Sequence, residues 1–241
     1  MKILAIESSN QTMSVATVED GLLVAEYTRN GKLQHSTQLM PAIDQVMEAS
    51  GWKPKDLNQI AVTKGPGSYT GVRIGATIAK TLAWTLHIPL VPVSSLQVLA
   101  ANALLSEKKI VPLIDARRKN VYAGVYLMKE DQLENLVPDE HLSSEDLFQK
   151  LAAAEGTYLF VGQDVSLYQE RIQEVLGERA QFMPVQDGLP RATKLAALSL
   201  MIPAVETHLF IPEYLKKPEA EEKWQEAHQE VRKGGYIERI D

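Results

Sequence analysis

The chain has 241 residues, 25 basic against 31 acidic side chains for a net charge of −6, and no cysteine. Hydrophobic residues make up 45% and charged residues 23%, an ordinary globular balance that excludes a disordered or collagen-like chain. The missing cysteines exclude a disulfide framework, a thiolate metal site and a cysteine nucleophile, and they fit a reducing compartment.

Ile3–Ser8, Met13–Val18 and Leu22–Tyr27 read as an opening β-meander, with Asn10-Gln11 in the first turn and the hairpin signal Asp20-Gly21 in the second. Glu7 interrupts the apolar start, so a signal peptide is not expected. No apolar run is long enough for a transmembrane helix, and a cytoplasmic, membrane-free protein is the expectation. A helix is predicted over 36–50, capped by Ser36, with Pro41 near its first turn and Leu39, Met40, Ile43, Val46 and Met47 at helical spacing.

Ile60–Thr63 reads as a strand, followed by a tight loop, Gly65-Pro66-Gly67-Ser68-Tyr69-Thr70-Gly71, and a long helix to about Leu86. The loop lacks the Lys-Ser or Lys-Thr of a nucleotide P-loop, since Val72-Arg73 follows its last glycine. Gly65, Pro66, Gly67 and Thr70 are therefore read as a structural strand-to-helix turn with Thr70 as N-cap, the alternative being direct phosphate binding. Gly71, Gly75, Ala79 and Ala83 lie four apart and form a small-residue stripe, flanked by Val72 and Ala76. Such a stripe lets another backbone approach closely. It fits either packing on the chain's own sheet or a helix-to-helix contact with a second subunit.

Leu90–Val93 is a further strand, and Ser94 or Ser95 caps a helix through about Leu104. A meander followed by alternating helices and strands implies a mixed sheet with helices on its faces, an α/β fold. In the second half, Ile110–Ile114 and Val121–Met128 read as a hairpin around Arg117-Arg118-Lys119-Asn120. Helices are predicted over 143–154, 166–176 and 191–201, with a strand at Tyr158–Val161. The text beyond Pro218 is rich in charge.

The five histidines show no ligand-like spacing, and no Gly-x-Ser-x-Gly elbow is present, so neither a metal site nor a serine hydrolase is expected. Glu7 and Ser8, at the end of the first strand, are weak candidates for holding an ion or a nucleotide; the plainer reading is a strand-end carboxylate. Arg117, Arg118 and Lys119 are candidates for gripping phosphate, against the plainer reading of solvated hairpin cations. No segment is strongly basic, which argues against tight nucleic-acid binding by the chain alone.

Several stretches together resemble one family. They are Ile3-Leu4-Ala5-Ile6-Glu7-Ser8-Ser9, His35-Ser36 with Leu39-Met40-Pro41, Thr63-Lys64-Gly65-Pro66-Gly67-Ser68-Tyr69-Thr70-Gly71-Val72-Arg73-Ile74-Gly75, Val93-Ser94-Ser95-Leu96, Asp115-Ala116-Arg117-Arg118 and Pro212-Glu213-Tyr214-Leu215-Lys216-Lys217-Pro218. The chain resembles the TsaB family over residues 1 to about 220. The resemblance implies an actin-like ATPase (ASKHA) fold of two ribonuclease-H-like lobes with mixed sheets flanked by helices: residues 1–105, residues 106–218 with a helix near 191–202 packing back on the first lobe, and a charged tail, 219–241. It implies a scaffold subunit, not an enzyme, needed for the threonylcarbamoyl modification of adenosine 37 in tRNAs reading codons that begin with A.

The implied partners are the catalytic paralogue TsaD and TsaE, with a homodimer in isolation and tRNA met only as part of the complex. The paralogue's Val-Asn-His-x-x-x-His metal motif falls on Val93-Ser94-Ser95-Leu96-Gln97-Val98-Leu99, where Ser95 and Leu99 replace both histidines. No cofactor is expected on this chain alone, with ATP or ADP reserved for the complex interface. The partner interface is expected on the two early helices, at Leu39, Met40, Ile43, Met47, Gly71, Val72, Gly75, Ala76, Ala79 and Ala83. The alternative is a stand-alone actin-like phosphotransferase or metallopeptidase.

Overall fold

The computed structural model describes residues 1–31, 35–130 and 132–216. The charged segment 219–241 lies outside the described residues.

The first half holds β1 (Lys2–Glu7), β2 (Met13–Glu19), β3 (Leu22–Arg29), α1 (His35–Ala49), β4 (Gln59–Thr63), α2 (Tyr69–Leu86), β5 (Leu90–Val93) and α3 (Ser95–Ala100). The strands form one sheet in the order β3-β2-β1-β4-β5. β1 pairs antiparallel with β2 and parallel with β4. The turn at Asp20-Gly21 has positive φ at both residues, the geometry that matches strand twist.

The second half repeats the plan with β6 (Lys109–Arg117), β7 (Asn120–Lys129), β8 (Gln132–Ser143), α4 (Ser144–Ala153), β9 (Tyr158–Val161), α5 (Gln169–Leu176) and β10 (Ala180–Phe182). Its sheet runs β8-β7-β6-β9-β10. In each sheet the third, second, first, fourth and fifth strands lie side by side in that order, so the halves are two copies of one topology. β8 carries no buried residue, so it lacks the apolar alternation that marks a strand in a sequence.

β1 is buried on both faces. Leu4 and Ile6 face a core with Leu39, Ile43, Ala79 and Ala83 from α1 and α2. Ile3 and Ala5 face a second core with Val98 of α3 and with Ala192, Leu195 and Ala196 of α6 (Ala192–Ser199). α6 thus comes from the end of the second half to cover the first sheet. Its first turn is anchored there: the Ala192 N–H donates to Ser14 Oγ at 2.9 Å and the Thr193 N–H to Glu26 Oε1 at 3.0 Å. Arg191 also pairs with Glu26. Burial pushes the Glu26 carboxyl up, but Arg191 and Thr193 outweigh it and hold the carboxyl below its ordinary range.

Helix starts differ from expectation in three places. α1 begins at His35, so Ser36 lies inside its first turn instead of capping it. Pro41 falls in the second turn of α1, where it cannot donate to the Thr37 carbonyl. α2 is capped by Ser68, whose hydroxyl accepts the Gly71 N–H at 3.3 Å, and Thr70 is an exposed residue of its first turn.

Candidate functional site

The carboxyl ends of β1, β4 and β5 meet at one edge of the first sheet, where α/β proteins bind ligands. Ile6 pairs with Val62, so Glu7 and Thr63 stand side by side one residue further on. Ser95 follows β5, its N–H donating to the Gly65 carbonyl at 2.9 Å. Glu7, Thr63 and Ser95 are all essentially inaccessible.

One oxygen of Glu7 accepts the Ser9 N–H at 2.7 Å and the Ser9 hydroxyl at 2.6 Å. The other oxygen, the Thr63 hydroxyl and the Ser95 hydroxyl have no hydrogen-bond partner among the described residues. Burial pushes the Glu7 carboxyl up to about 7; the Ser9 bonds pull it down only in part. The Thr63 hydroxyl stands near enough to favour the ionised form without reaching hydrogen-bond geometry.

The glycine loop seals this edge. The Ser68 N–H donates to the Ser9 carbonyl at 2.7 Å, and a Cβ on Gly67 would collide with that same carbonyl. The turn from β1 to β2 therefore faces protein backbone and leaves no open cradle for a phosphate group. The residues here do not fit a nucleotide at that turn. His35 closes the turn from its other side, with Nε2 2.8 Å from the Asn10 carbonyl.

Nine of the ten residues expected at a partner interface lie inside the first half: Leu39, Ile43, Met47, Gly71, Val72, Gly75, Ala76, Ala79 and Ala83 are buried. The small-residue stripe serves the chain's own packing, because a Cβ on Gly71 or Gly75 would collide with Ser8 of the strand end beneath. Ser8 donates its hydroxyl to the Gly71 carbonyl at 2.9 Å and so bolts α2 to β1. Met40 alone of the ten is exposed, on the outer side of α1.

A cleft of about 550 Å³ lies between the N-terminal turn of α2, the β6–β7 hairpin and residues 213–216. Arg117 and Arg118 line it. Lys119 is exposed beyond its rim and its carbonyl accepts the Ser144 N–H at 2.8 Å. Arg117, Arg118 and Lys119 all have positive φ, a conformation side chains rarely adopt. The turn is held by Asp115, which accepts the Arg117 N–H at 3.1 Å and the Tyr168 hydroxyl at 2.7 Å. Tyr69, Arg73 and Tyr214 also line the cleft and were not expected there as a group. Tyr69 and Arg73 are four apart on one helix, a spacing that puts them on one face. Tyr214 joins them only through the fold.

Beside the cleft the halves are tied together by Ser94 and Asp139. Ser94 caps α3 and donates its hydroxyl to Asp139 of β8, which also accepts the Tyr126 hydroxyl at 2.6 Å. Burial pushes the Asp139 carboxyl up against those two bonds. Among the described residues no group of His, Asp and Glu is placed to hold a metal ion, and no helix is long and apolar enough to cross a membrane.

Two copies of a five-stranded mixed sheet with this strand order, joined across a cleft, define an actin-like ATPase fold. A family model for TsaD, tRNA N6-adenosine threonylcarbamoyltransferase, matches residues 23–224. The tRNA threonylcarbamoyladenosine biosynthesis protein TsaB of Bacillus subtilis (strain 168) is 43% identical over 227 residues, covering 94% of this chain and 99% of that protein. The protein of the same name from Escherichia coli (strain K12) is 30% identical over 204 residues, covering 82% and 88%. The crystal structure of a Pseudomonas aeruginosa protein described as similar to the peptidase YeaZ superposes with a TM-score of 0.76 at 26% identity, covering 89% of this chain and 99% of that one. The chain belongs to the TsaB family of tRNA threonylcarbamoyladenosine biosynthesis proteins.

Proposed function

We propose that the chain serves tRNA threonylcarbamoyladenosine formation as a non-catalytic subunit that binds the threonylcarbamoyltransferase paralogue TsaD, with TsaE as a third component. The observation that carries this reading is the sealed strand edge. Glu7, Thr63 and Ser95 occupy the position where an actin-like enzyme works, yet all three are out of reach of solvent. Ser95 and Leu99 stand where the paralogue's metal-binding histidines fall, which is consistent with chemistry done on the partner.

The contact with the paralogue, or with a second copy of this chain, is assigned to the outer side of α1 and α2. Met40 is exposed there, Ile74 and Ile78 are half-buried, and Thr77 is exposed between them along α2. Apolar side chains that remain accessible beside a well-filled core suit a subunit contact. ATP or ADP belongs at that contact and tRNA to the assembled complex in the cytoplasm.

The test is reconstitution. Purified chain alone is expected to transfer no threonylcarbamoyl group to unmodified tRNA, and to raise the yield when added to the paralogue and TsaE. Transfer by the chain alone, or strong magnesium-dependent ATP binding by it in calorimetry, would support the alternative of a stand-alone phosphotransferase.

A further inference from the structure

We propose that the cleft between the halves is an RNA contact, holding a short unpaired stretch with its phosphates on Arg117 and Arg118 and a base stacked at Tyr69, Arg73 and Tyr214. This rests on the tRNA-modification reading above.

The first support is charge. The protein is acidic overall, yet Arg73, Arg117, Arg118 and Lys216 converge on one cleft. The carboxylate in its lining, Glu213, is paired with Lys64 at 2.7 Å and so offers the cleft little negative charge. A positive cleft in a negative surface draws a polyanion to that place and repels it elsewhere.

The second support is the aromatic stack. The Arg73 guanidinium lies 4.0 Å from the centre of the Tyr69 ring and 5.5 Å from that of Tyr214. Its Nε donates to the Tyr214 hydroxyl at 2.7 Å, fixing the plane of the group. The two rings are 5.0 Å apart, and both tyrosines are exposed, at 53% and 40%. Exposed aromatic rings combined with an ordered arginine plane are what unpaired bases stack on, while neighbouring arginines hold the phosphates.

The third support is shape. Three consecutive positive-φ residues in the hairpin turn the two arginines toward the cleft, held there by Asp115 and Tyr168.

The test uses the full chain, alone and mixed with the paralogue and TsaE, and an end-labelled, unmodified tRNA transcript, followed by anisotropy at low and moderate salt. The variants are R117E/R118E, Y69A and, as a control of equal charge change on a distant surface, K53E/K55E. The double arginine variant is expected to weaken binding by roughly tenfold or more and to lower the salt slope by about 0.7 for each phosphate it no longer neutralises. Y69A is expected to weaken binding several-fold at an unchanged slope. K53E/K55E is expected to stay within about twofold. The proposal is overturned if the folded wild-type chain adds no saturable binding either alone or in the mixture with the paralogue and TsaE, or if K53E/K55E loses as much as R117E/R118E. It is overturned too if AMP binds the cleft and tRNA does not. Co-purification with the paralogue is measured on the same variants. If it survives in R117E/R118E while RNA binding is indifferent to the cleft, this site fails and the subunit reading stands.

Discussion

Ser9 holds one oxygen of the buried Glu7 carboxyl through both its backbone N–H and its hydroxyl, leaving the other oxygen without a hydrogen-bond partner among the described residues. A carboxyl half-satisfied in the interior takes up a proton more readily than one in water, and that of Glu7 is raised to about 7.

This links Glu7 to stability. Between the unfolded value near 4.5 and the folded value near 7 the native chain binds the proton and the unfolded chain does not. Stability therefore falls as pH rises through that window and levels off above it, by up to about 3 kcal/mol from this group. Glu7→Gln is expected to remove the dependence, so that its melting temperature relative to wild type rises from pH 5 to pH 8. A constant difference across that range would contradict the placement of Glu7.

Glu26 behaves in the opposite sense. Its carboxyl is held below the ordinary range by Arg191 and the first turn of α6, so its contribution is present above the unfolded value and is lost as pH falls through the folded one. Glu26→Gln is expected to lower the melting temperature at pH 7, with the difference from wild type shrinking as pH falls through the folded value. Hydrogen exchange is expected to show the loss first in α6, since Arg191 loses its ion pair and the Thr193 N–H keeps only a neutral amide oxygen as acceptor.

Gly75 lies against Ser8, so enlarging it acts on folding before it acts on any partner. Gly75→Ala is expected to destabilise the chain by about 1–3 kcal/mol, and Gly75→Leu by more. Ala79→Arg would force a charge into a fully buried position and is expected to abolish the cooperative thermal transition. Circular dichroism melts check all three.

Much of the first half was legible because local chemistry and tertiary packing agree there. The Asp20-Gly21 turn, the strand over Ile60–Thr63 and the long helix after the glycine loop follow from turn residues and periodicity. β8 was missed because it lies exposed on a sheet edge and its residues do not alternate. The small-residue stripe was legible as a close-packed face, but spacing alone does not say whose backbone approaches it; Ser8 of the same chain does. Arg117 and Arg118 were visible as a pair of cations in a hairpin. Their grouping with Tyr69, Arg73 and Tyr214 required the cleft, since Tyr214 stands 141 residues from the arginine it bonds.

The partner-binding surface is tested by replacing residues that touch solvent, not core. Met40→Asp with Thr77→Arg changes two exposed positions on α1 and α2 and is expected to leave the stability within about 1 kcal/mol of wild type. The most direct measurement is light scattering on the purified chain mixed with the threonylcarbamoyltransferase paralogue. Wild type is expected to form a complex of higher mass than either protein, and the folded double variant to elute apart from the paralogue. A double variant that binds as wild type does would contradict the assignment of this face, and a wild type that never associates would contradict the subunit role itself.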